Sequence, residues 1–292
     1  MEPGHQPGTQ LNRKKMKPIK KNIQDGSICI LGIGFDQNSS FQKGASLAPD
    51  RIRESYFSES SNLWSEKGLN LGSVKHLYDL GNIDFKTDID DFNHITKSVK
   101  AVLDQGNHLI CLGGDHSITF PIIKAHAQKY DCLNILCLDA HPDLYDSLDG
   151  NIYSHACPFA RIMEKKLAKR LVQAGIRTTN GHQREQAKKF GVEVNEMKDG
   201  TGWLNDLEFV GPVYLSLDLD CLDPAFAPGV SHHEPGGMTT RQVIDIIQNL
   251  KGKIIGADIV EYNPERDLGS MTSMVAAKLL KEIIARVHED TR

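Results

Sequence analysis

The stretch LNILCLDAHPD, residues 133–143, decides the fold of this chain. Its first six residues, 133–138, are almost all apolar, so a strand there would be hydrophobic on both of its faces. Such strands are typical of parallel sheets that helices cover on both sides. The polar residues that follow, from Asp139 to Asp143, would then lie at the carboxyl end of the strand, where open parallel sheets bind their ligands.

Similar short apolar runs alternate with helical patterns along the rest of the chain. We predict strands at 27–33, 108–112, 133–138, 171–175, 212–217 and 253–259. We predict helices at 48–57, 91–104, 118–129, 155–169, 183–190, 239–250 and 270–287. This alternation predicts one α/β domain over residues 26–292, with a parallel sheet. Residues 1–25 are polar and basic, and we expect them to form a flexible tail.

Composition excludes several classes of protein. With 292 residues, of which 39% are hydrophobic and 25% charged, the chain has an ordinary globular composition. A formal net charge of -4 favours neither nucleic acid nor an anionic membrane as a partner. The apolar runs are far shorter than the roughly 20 residues that a membrane span requires. Without a signal-like apolar start or a Cys-x-x-Cys pair, we expect a cytoplasmic protein with reduced thiols.

Three polar clusters stand where predicted strands end. GGDHS occupies 113–117, DAHPD occupies 139–143, and DLD occupies 218–220. In extended chain alternate side chains point the same way, so each of the last two clusters would direct its acids to one side. For the first cluster alone, a capped helix start is an equally good interpretation. Together the clusters offer two imidazoles and four carboxylates: His116, Asp139, His141, Asp143, Asp218 and Asp220.

This set of side chains predicts a site for two divalent metal ions. Carboxylates that converge without a cation repel each other and are costly to bury. The absence of cysteine from the set disfavours structural zinc, and oxygen-rich ligation with imidazole suits Mn²⁺. Ni²⁺, Co²⁺ or Fe²⁺ would also fit such ligands. Two ions about 3.5–4 Å apart would lower the pKa of a bridging water towards about 7, which produces hydroxide at neutral pH.

The same clusters resemble the signature segments of the arginase/agmatinase family of ureohydrolases: GGDHS at 113–117, DAHPD at 139–143 and SLDLDCLDP at 216–224. Further segments are most similar to plant-type arginases: NSSF at 38–41, YSHA at 153–156, FARIME at 159–164 and PGVSH at 228–232. The resemblance implies a three-layer α/β/α fold around a parallel sheet of about eight strands. It also implies a guanidino substrate, homotrimers or homohexamers, and the six residues above as ligands of two metal ions.

The resemblance also assigns catalytic roles to His155 and Glu261, and we expect Asp220 to be catalytic as well as a metal ligand. His155 matches a histidine that shuttles protons, and Glu261 matches a carboxylate that holds the guanidinium group. The chemistry requires both roles, because the leaving amine must receive a proton and a carboxylate can pair with the planar guanidinium in bidentate fashion. The structural alternatives are a position near a helix N-terminus for His155 and a surface ion pair for Glu261.

The far end of the substrate is less well defined by the sequence. Asn151 and Ser154 could hydrogen-bond the carboxylate of L-arginine, whereas Asp146 and Asp149 would favour the amine of agmatine. We expect hydrolysis of L-arginine to ornithine and urea, although residues 178–180 lack the acid that animal arginases carry there. The alternatives within the family are agmatine, free guanidine, a guanidino acid and formiminoglutamate.

Two further alternatives belong to other classes. A two-metal phosphoesterase would use similar clusters, but the sequence has no glycine loop of the kind that cradles phosphate. An inactive homologue could act as a binding scaffold. The intact ligand set, His155 and Glu261 argue against that alternative.

Overall fold

The computed structural model describes residues 23–85, 90–200, 202–205 and 207–291. Residues 1–22 of the predicted tail lie outside the described residues, so the flexible tail stays a prediction. Within the described ranges, no helix combines the length and the apolar character that a membrane span needs.

In the part of the chain that the structure describes, eight parallel strands form one sheet. They are β1 Ile28–Ile33, β2 Leu77–Asn82, β3 His108–Gly113, β4 Asn134–Leu138, β5 Arg170–Ile176, β6 Glu193–Glu196, β7 Glu208–Asp218 and β8 Lys251–Val260. Their order across the sheet is β2-β1-β3-β8-β7-β4-β5-β6, and every neighbouring pair is parallel. The prediction of a parallel sheet of about eight strands is confirmed.

Helices cover both faces of this sheet. They are α1 Ala48–Tyr56, α2 Asp91–Leu103, α3 Thr119–His126, α4 Pro158–Glu164, α5 Gly181–Phe190, α6 Thr240–Asn249 and α7 Met271–Asp290. Leu136 and Leu138 of β4 pack into one core with α1, α6 and α7, whereas Ile135 and Cys137 pack into a second core with α2, α3, α4 and α5. These two cores make the three-layer α/β/α arrangement, which is also confirmed.

The structure differs from the sequence prediction at both sheet edges and at one helix. The edge strands β2 and β6 were not predicted, because their sequences, LYDLGN and EVNE, are largely polar and only partly buried. The helix predicted to begin at residue 155 begins instead at Pro158, a residue that favours the first turn of a helix. His155 therefore lies in the loop that precedes α4.

Candidate active site

The carboxyl ends of β3, β8, β7 and β4 lie side by side, because these four strands are consecutive in the sheet. The first polar cluster follows β3, Glu261 follows β8, Asp218 ends β7 and Asp139 follows β4. Residues far apart in sequence thus become neighbours. The backbone N–H of His116, for example, donates a 2.8 Å hydrogen bond to Oε1 of Glu261, 145 residues away.

A tight turn brings the chain from β3 to His116. A side chain at Gly114 has no room there, since a Cβ atom would lie 1.8 Å from the carbonyl oxygen of Phe35. The carboxylate of Asp115 then accepts the backbone N–H of Ser117 at 3.0 Å and that of Asn38 at 3.0 Å. The capping interpretation of this cluster is therefore correct for Asp115, while His116 faces the other polar clusters.

His116 forms the first group of candidate ligand atoms. Its Nδ1 lies 3.1 Å from Oδ2 of Asp139, 3.0 Å from Oδ2 of Asp143 and 3.2 Å from Oδ2 of Asp218. This nitrogen is buried and has no hydrogen-bond partner among the described residues. One nitrogen with three carboxylate oxygens within 3.2 Å of it is a donor set that fits a divalent cation.

A second group lies beside the first and shares one residue with it. Nδ1 of His141 is 3.0 Å from Oδ2 of Asp220 and 3.6 Å from Oδ1 of Asp139. Asp139 thus offers Oδ2 to the first group and Oδ1 to the second. A carboxylate shared in this way places two cation positions next to each other, which fits a two-metal centre. All six predicted ligand residues are brought together.

The electrostatics of these groups also fit cations. Burial, together with the charges of Asp220 and Asp139, raises the pKa of Asp218 well above its usual value. Burial and the charge of Asp139 raise the pKa of Asp143 to about 6. Both shifts express the cost of holding several negative charges in a buried space. Two divalent ions would remove that cost, because their four positive charges balance four carboxylates.

The backbone around the ligand residues is less regular than the extended chain that the sequence predicts, in which alternate side chains point the same way. Asp143 has a φ of 49°, in the left-handed region, and Asp220 lies in the short 3-10 helix Leu219–Cys221. Cys137, which sequence reasoning left out of the set, also lies near the first group, with its Sγ 3.8 Å from Oδ2 of Asp139. Burial raises the pKa of its thiol well above the usual value, which disfavours the thiolate form that binds metal ions.

A buried chain of hydrogen bonds stands behind His116. Its Nε2 is 3.0 Å from Oγ of Ser216, and that hydroxyl donates to Oδ1 of Asp258 at 2.7 Å. Because the hydroxyl of Ser216 donates its hydrogen to Asp258, its oxygen accepts a hydrogen bond from the N–H at Nε2 of His116. Nδ1 of the neutral ring then carries no hydrogen and has a free lone pair. Thr119 and Tyr214 also donate to Asp258, at 2.8 Å and 3.0 Å. These hydrogen bonds therefore hold His116 in the tautomer whose Nδ1 can bind a metal ion.

His155 and Glu261 form a buried pair next to the first group. Nδ1 of His155 is 2.8 Å from Oε1 of Glu261, the same oxygen that accepts the N–H of His116. Burial alone would lower the pKa of His155, but the charge of Glu261 outweighs it and raises the pKa to about 9. Glu261 has a φ of 61°, a strained conformation that is typical of functional sites.

The predicted substrate-binding residues lie in the loop between Asp143 and α4. Asn151 is exposed; its amide donates to Oδ1 of Asn38 at 3.1 Å, and its own Oδ1 accepts the N–H of Tyr153 at 2.9 Å. Ser154 is buried, and its Oγ accepts the N–H of Ala156 at 3.4 Å. Their role in binding stays a prediction. Asp146, considered for a cationic substrate, instead lies 3.2 Å from Nε2 of His182.

Two residues near the candidate ligands were not predicted from the sequence. The ring of His232 lies 5.4 Å from that of His155 and 5.8 Å from that of His141, and its buried Nε2 has no hydrogen-bond partner among the described residues. Oε1 of Glu234 is 3.6 Å from Nε2 of His141. His232 ends the segment PGVSH at 228–232, which predicted only a similarity to plant-type arginases, and Glu234 follows two residues later.

Comparison with known proteins agrees with this geometry. Residues 26–285 match the arginase family. The chain belongs to the arginase family. Arginase 1, mitochondrial, of Oryza sativa subsp. japonica is 46% identical over 279 residues, which cover 90% of this chain and 82% of that protein. The structure of arginase from Medicago truncatula superimposes with a TM-score of 0.84 at 44% identity, covering 90% of this chain and 87% of that one.

An agmatinase from Bacillus anthracis is less similar to this arginase-family chain, at 32% identity over 90% of this chain and 92% of that protein. Family membership confirms the prediction of a hydrolase of linear amidines with a metal site, and the two His/Asp groups sharing Asp139 agree with the binuclear centre that the family implies. Neither a phosphoesterase nor a simple binding scaffold is favoured by these findings.

Proposed function

We propose that this protein hydrolyses L-arginine to L-ornithine and urea. The observation that carries the proposal is the pair of ligand groups joined through Asp139, with the His155–Glu261 pair beside them. The preference for arginine over agmatine is supported by the greater identity to the arginase of Oryza sativa, 46%, than to the agmatinase of Bacillus anthracis, 32%. Agmatine remains the second candidate substrate.

We propose Mn²⁺ as the native ion, with Ni²⁺ as the alternative, because carboxylate oxygens outnumber imidazole nitrogens in the donor set. The residues that would hold the two ions are the six already described: His116, Asp139, His141, Asp143, Asp218 and Asp220. When bound, a pair of such ions supplies hydroxide at neutral pH and stabilises developing negative charge. Asp220 is also proposed to be catalytic, since its Oδ2 lies 3.0 Å from Nδ1 of His141 within the second ligand group.

Glu261 would hold the guanidinium group. Its Oε1 already accepts two hydrogen bonds, from His116 and from His155. A carboxylate oxygen has two lone pairs, so Oε2 is the oxygen with capacity for the substrate. We therefore propose that the guanidinium N–H groups bind mainly to Oε2, which revises the bidentate pairing expected from the sequence.

His155 would protonate the leaving amine. The charge of Glu261 raises the pKa of His155, which favours the imidazole that carries two protons at neutral pH. When the bond between the guanidinium carbon and the amine nitrogen breaks, the nitrogen gains a proton and His155 becomes neutral. The nearby carboxylate of Glu261 holds the ring in place for this transfer.

The carboxylate end of arginine would be bound by Asn151 and Ser154. Asn151 is already oriented by Asn38, and each hydrogen bond to a charged carboxylate is worth about 1.5–3 kcal/mol. The α-carboxylate is absent from agmatine. If Asn151 binds the α-carboxylate, its replacement should weaken the binding of arginine but not that of agmatine.

Some properties of the whole chain are proposals of the same kind. We propose a single catalytic domain over residues 26–292 preceded by a flexible tail, a homotrimer or homohexamer, and a cytoplasmic location. The relative from Oryza sativa is named as mitochondrial, so a mitochondrial location is the alternative. Light scattering of the full chain tests the assembly, and cell fractionation tests the location.

The deciding experiment is a urea-release assay on the purified full chain. After removal of metal with a chelator, we expect no urea from L-arginine, agmatine, guanidinobutyrate or guanidine, and we expect Mn²⁺ to restore release from L-arginine. A higher kcat/KM for agmatine than for arginine would contradict the proposed substrate. Full activity in the metal-free protein would contradict the two-metal site.

A further inference from the structure

The segment NSSF at 38–41, which the proposed chemistry does not yet use, is held firmly against the candidate site. Asp36 Oδ2 accepts the backbone N–H of Gly44 at 2.8 Å and that of Ser46 at 3.2 Å. Asp115 Oδ2 accepts the N–H of Asn38 at 3.0 Å. The carbonyl of Asn38 in turn accepts the N–H of His155 at 3.1 Å. These bonds fix the segment relative to His155.

The result is a hydrogen bond between Ser40 and the catalytic histidine. Oγ of Ser40 lies 2.8 Å from Nε2 of His155. The imidazole thus has Glu261 on its Nδ1 and Ser40 on its Nε2, each at 2.8 Å. His155 is only 8% exposed, whereas Ser40 is exposed at the surface. Ser40 therefore connects a buried imidazole to solvent.

The position of the exchangeable proton follows from these partners. Nδ1 of His155 is 2.8 Å from Oε1 of Glu261, and a carboxylate oxygen only accepts hydrogen bonds, so this contact keeps a proton on Nδ1. The proton that His155 gains and loses is then the one on Nε2. The group in hydrogen-bond contact with Nε2 is the hydroxyl of Ser40.

We propose that Ser40 is a proton relay for His155, an inference that rests on the function proposed above. As the amine leaves, the Nε2 proton passes to Oγ of Ser40, and the hydroxyl proton of Ser40 passes to the amine nitrogen. The serine is unchanged, His155 becomes neutral and the amine gains one proton. In the reverse direction, a buffer acid gives a proton to Oγ while the hydroxyl proton passes to Nε2; the acid becomes its conjugate base and His155 is again charged.

The test compares three variants of the full chain loaded with Mn²⁺. Ser40→Ala removes the relay, Ser40→Thr keeps a hydroxyl, and Ser39→Ala is the matched control because Ser39 bonds to Asp115 but not to His155. Losing a hydrogen bond to a charged group corresponds to about 1.5–3 kcal/mol, so kcat of Ser40→Ala should fall about 10- to 150-fold with little change in KM. Ser40→Thr and Ser39→Ala should stay close to the wild type.

Rescue separates a relay from a merely structural contact. Imidazole added at increasing concentration should raise kcat of Ser40→Ala and leave the wild type unchanged, because a small buffer can replace the missing hydroxyl. A lowered kcat that neither imidazole nor Ser40→Thr restores would overturn the relay, and so would an unchanged kcat in Ser40→Ala. A wild-type protein that releases no urea would contradict the proposed function itself.

A second measurement does not depend on activity. In the metal-free protein, the ¹⁵N chemical shifts of the His155 ring, assigned by comparison with His155→Asn, report both hydrogen bonds. Ser40→Ala should change the Nε2 shift and leave Nδ1 bonded to Glu261, and Ser39→Ala should change neither. An Nε2 shift that is the same with and without the Ser40 hydroxyl would overturn the proposal.

Discussion

Replacing Ser216 with alanine should weaken both the fold and metal binding, whereas replacing Thr119 with valine should weaken the fold alone. Both hydroxyls donate to the buried carboxylate of Asp258, at 2.7 Å and 2.8 Å, but only that of Ser216 also contacts Nε2 of His116, at 3.0 Å. The two substitutions therefore differ in one contact, the one that sets the tautomer of His116.

The expected magnitudes follow from the bonds that are lost. A hydrogen bond to a charged group contributes about 1.5–3 kcal/mol and a neutral one about 0.5–1.5 kcal/mol. The free energy of unfolding of the metal-free protein should thus fall by about 2–4.5 kcal/mol in Ser216→Ala and by about 1.5–3 kcal/mol in Thr119→Val. Loss of a partner that orients a metal ligand lowers metal affinity about 10- to 100-fold, and this loss is expected for Ser216→Ala only.

Calorimetric titration of each metal-free variant with Mn²⁺ measures the affinity, and thermal unfolding measures the stability. Equal losses of Mn²⁺ affinity in the two variants would show that Asp258 acts by general stabilisation. Wild-type affinity in Ser216→Ala would refute the argument that the serine fixes the ring of His116.

Four other predictions concern the site more directly. Asp139→Ala should reduce the Mn²⁺ bound per chain, measured by atomic absorption, from two to fewer than one, because Asp139 belongs to both ligand groups. His155→Asn should keep both ions but lower kcat about 10²- to 10⁴-fold, and unchanged kcat would mean that His155 is structural. Asn151→Ala should raise KM for arginine, while Asp146→Asn should not, since Asp146 lies near His182; the reverse pattern in steady-state kinetics would favour agmatine. Gly114→Ala should lower the melting temperature and the bound metal together, because its Cβ would overlap Phe35, and an unaltered melting curve would contradict this.

Much of the fold could be predicted because its central strands have a strong signal. Runs such as residues 133–138 are apolar on both faces, and the polar clusters follow them directly, so parallel topology places the clusters together. The edge strands β2 and β6 have no such signal, since exposure on one side allows polar residues at most positions. Their presence depends on pairing with β1 and β5, which local sequence does not reveal.

The ligand residues were predictable for the same reason, and the groups that support them were not. Asp258 lies within the apolar strand β8, and nothing in the local sequence explains an acid at that position. Its partner Ser216 is on the adjacent strand and is far away in sequence. Ser40 and His232 reach His155 from loops far away in sequence, at positions set by tertiary contacts. A sequence motif can contain such residues, but only the folded structure shows which groups they contact.

The order of the strands has a consequence for biosynthesis. β3 and β4 are separated in the finished sheet by β8 and β7, which are the last two strands to leave the ribosome. A nascent chain that ends before Asp218 contains the first two polar clusters, but it lacks β8 and the end of β7, which connect β3 to β4 in the finished sheet. Because long-range pairings of this kind form slowly, capture of the metal pair should be one of the final events of folding. Bound metal would then mark chains whose synthesis has passed Glu261 and whose sheet is complete.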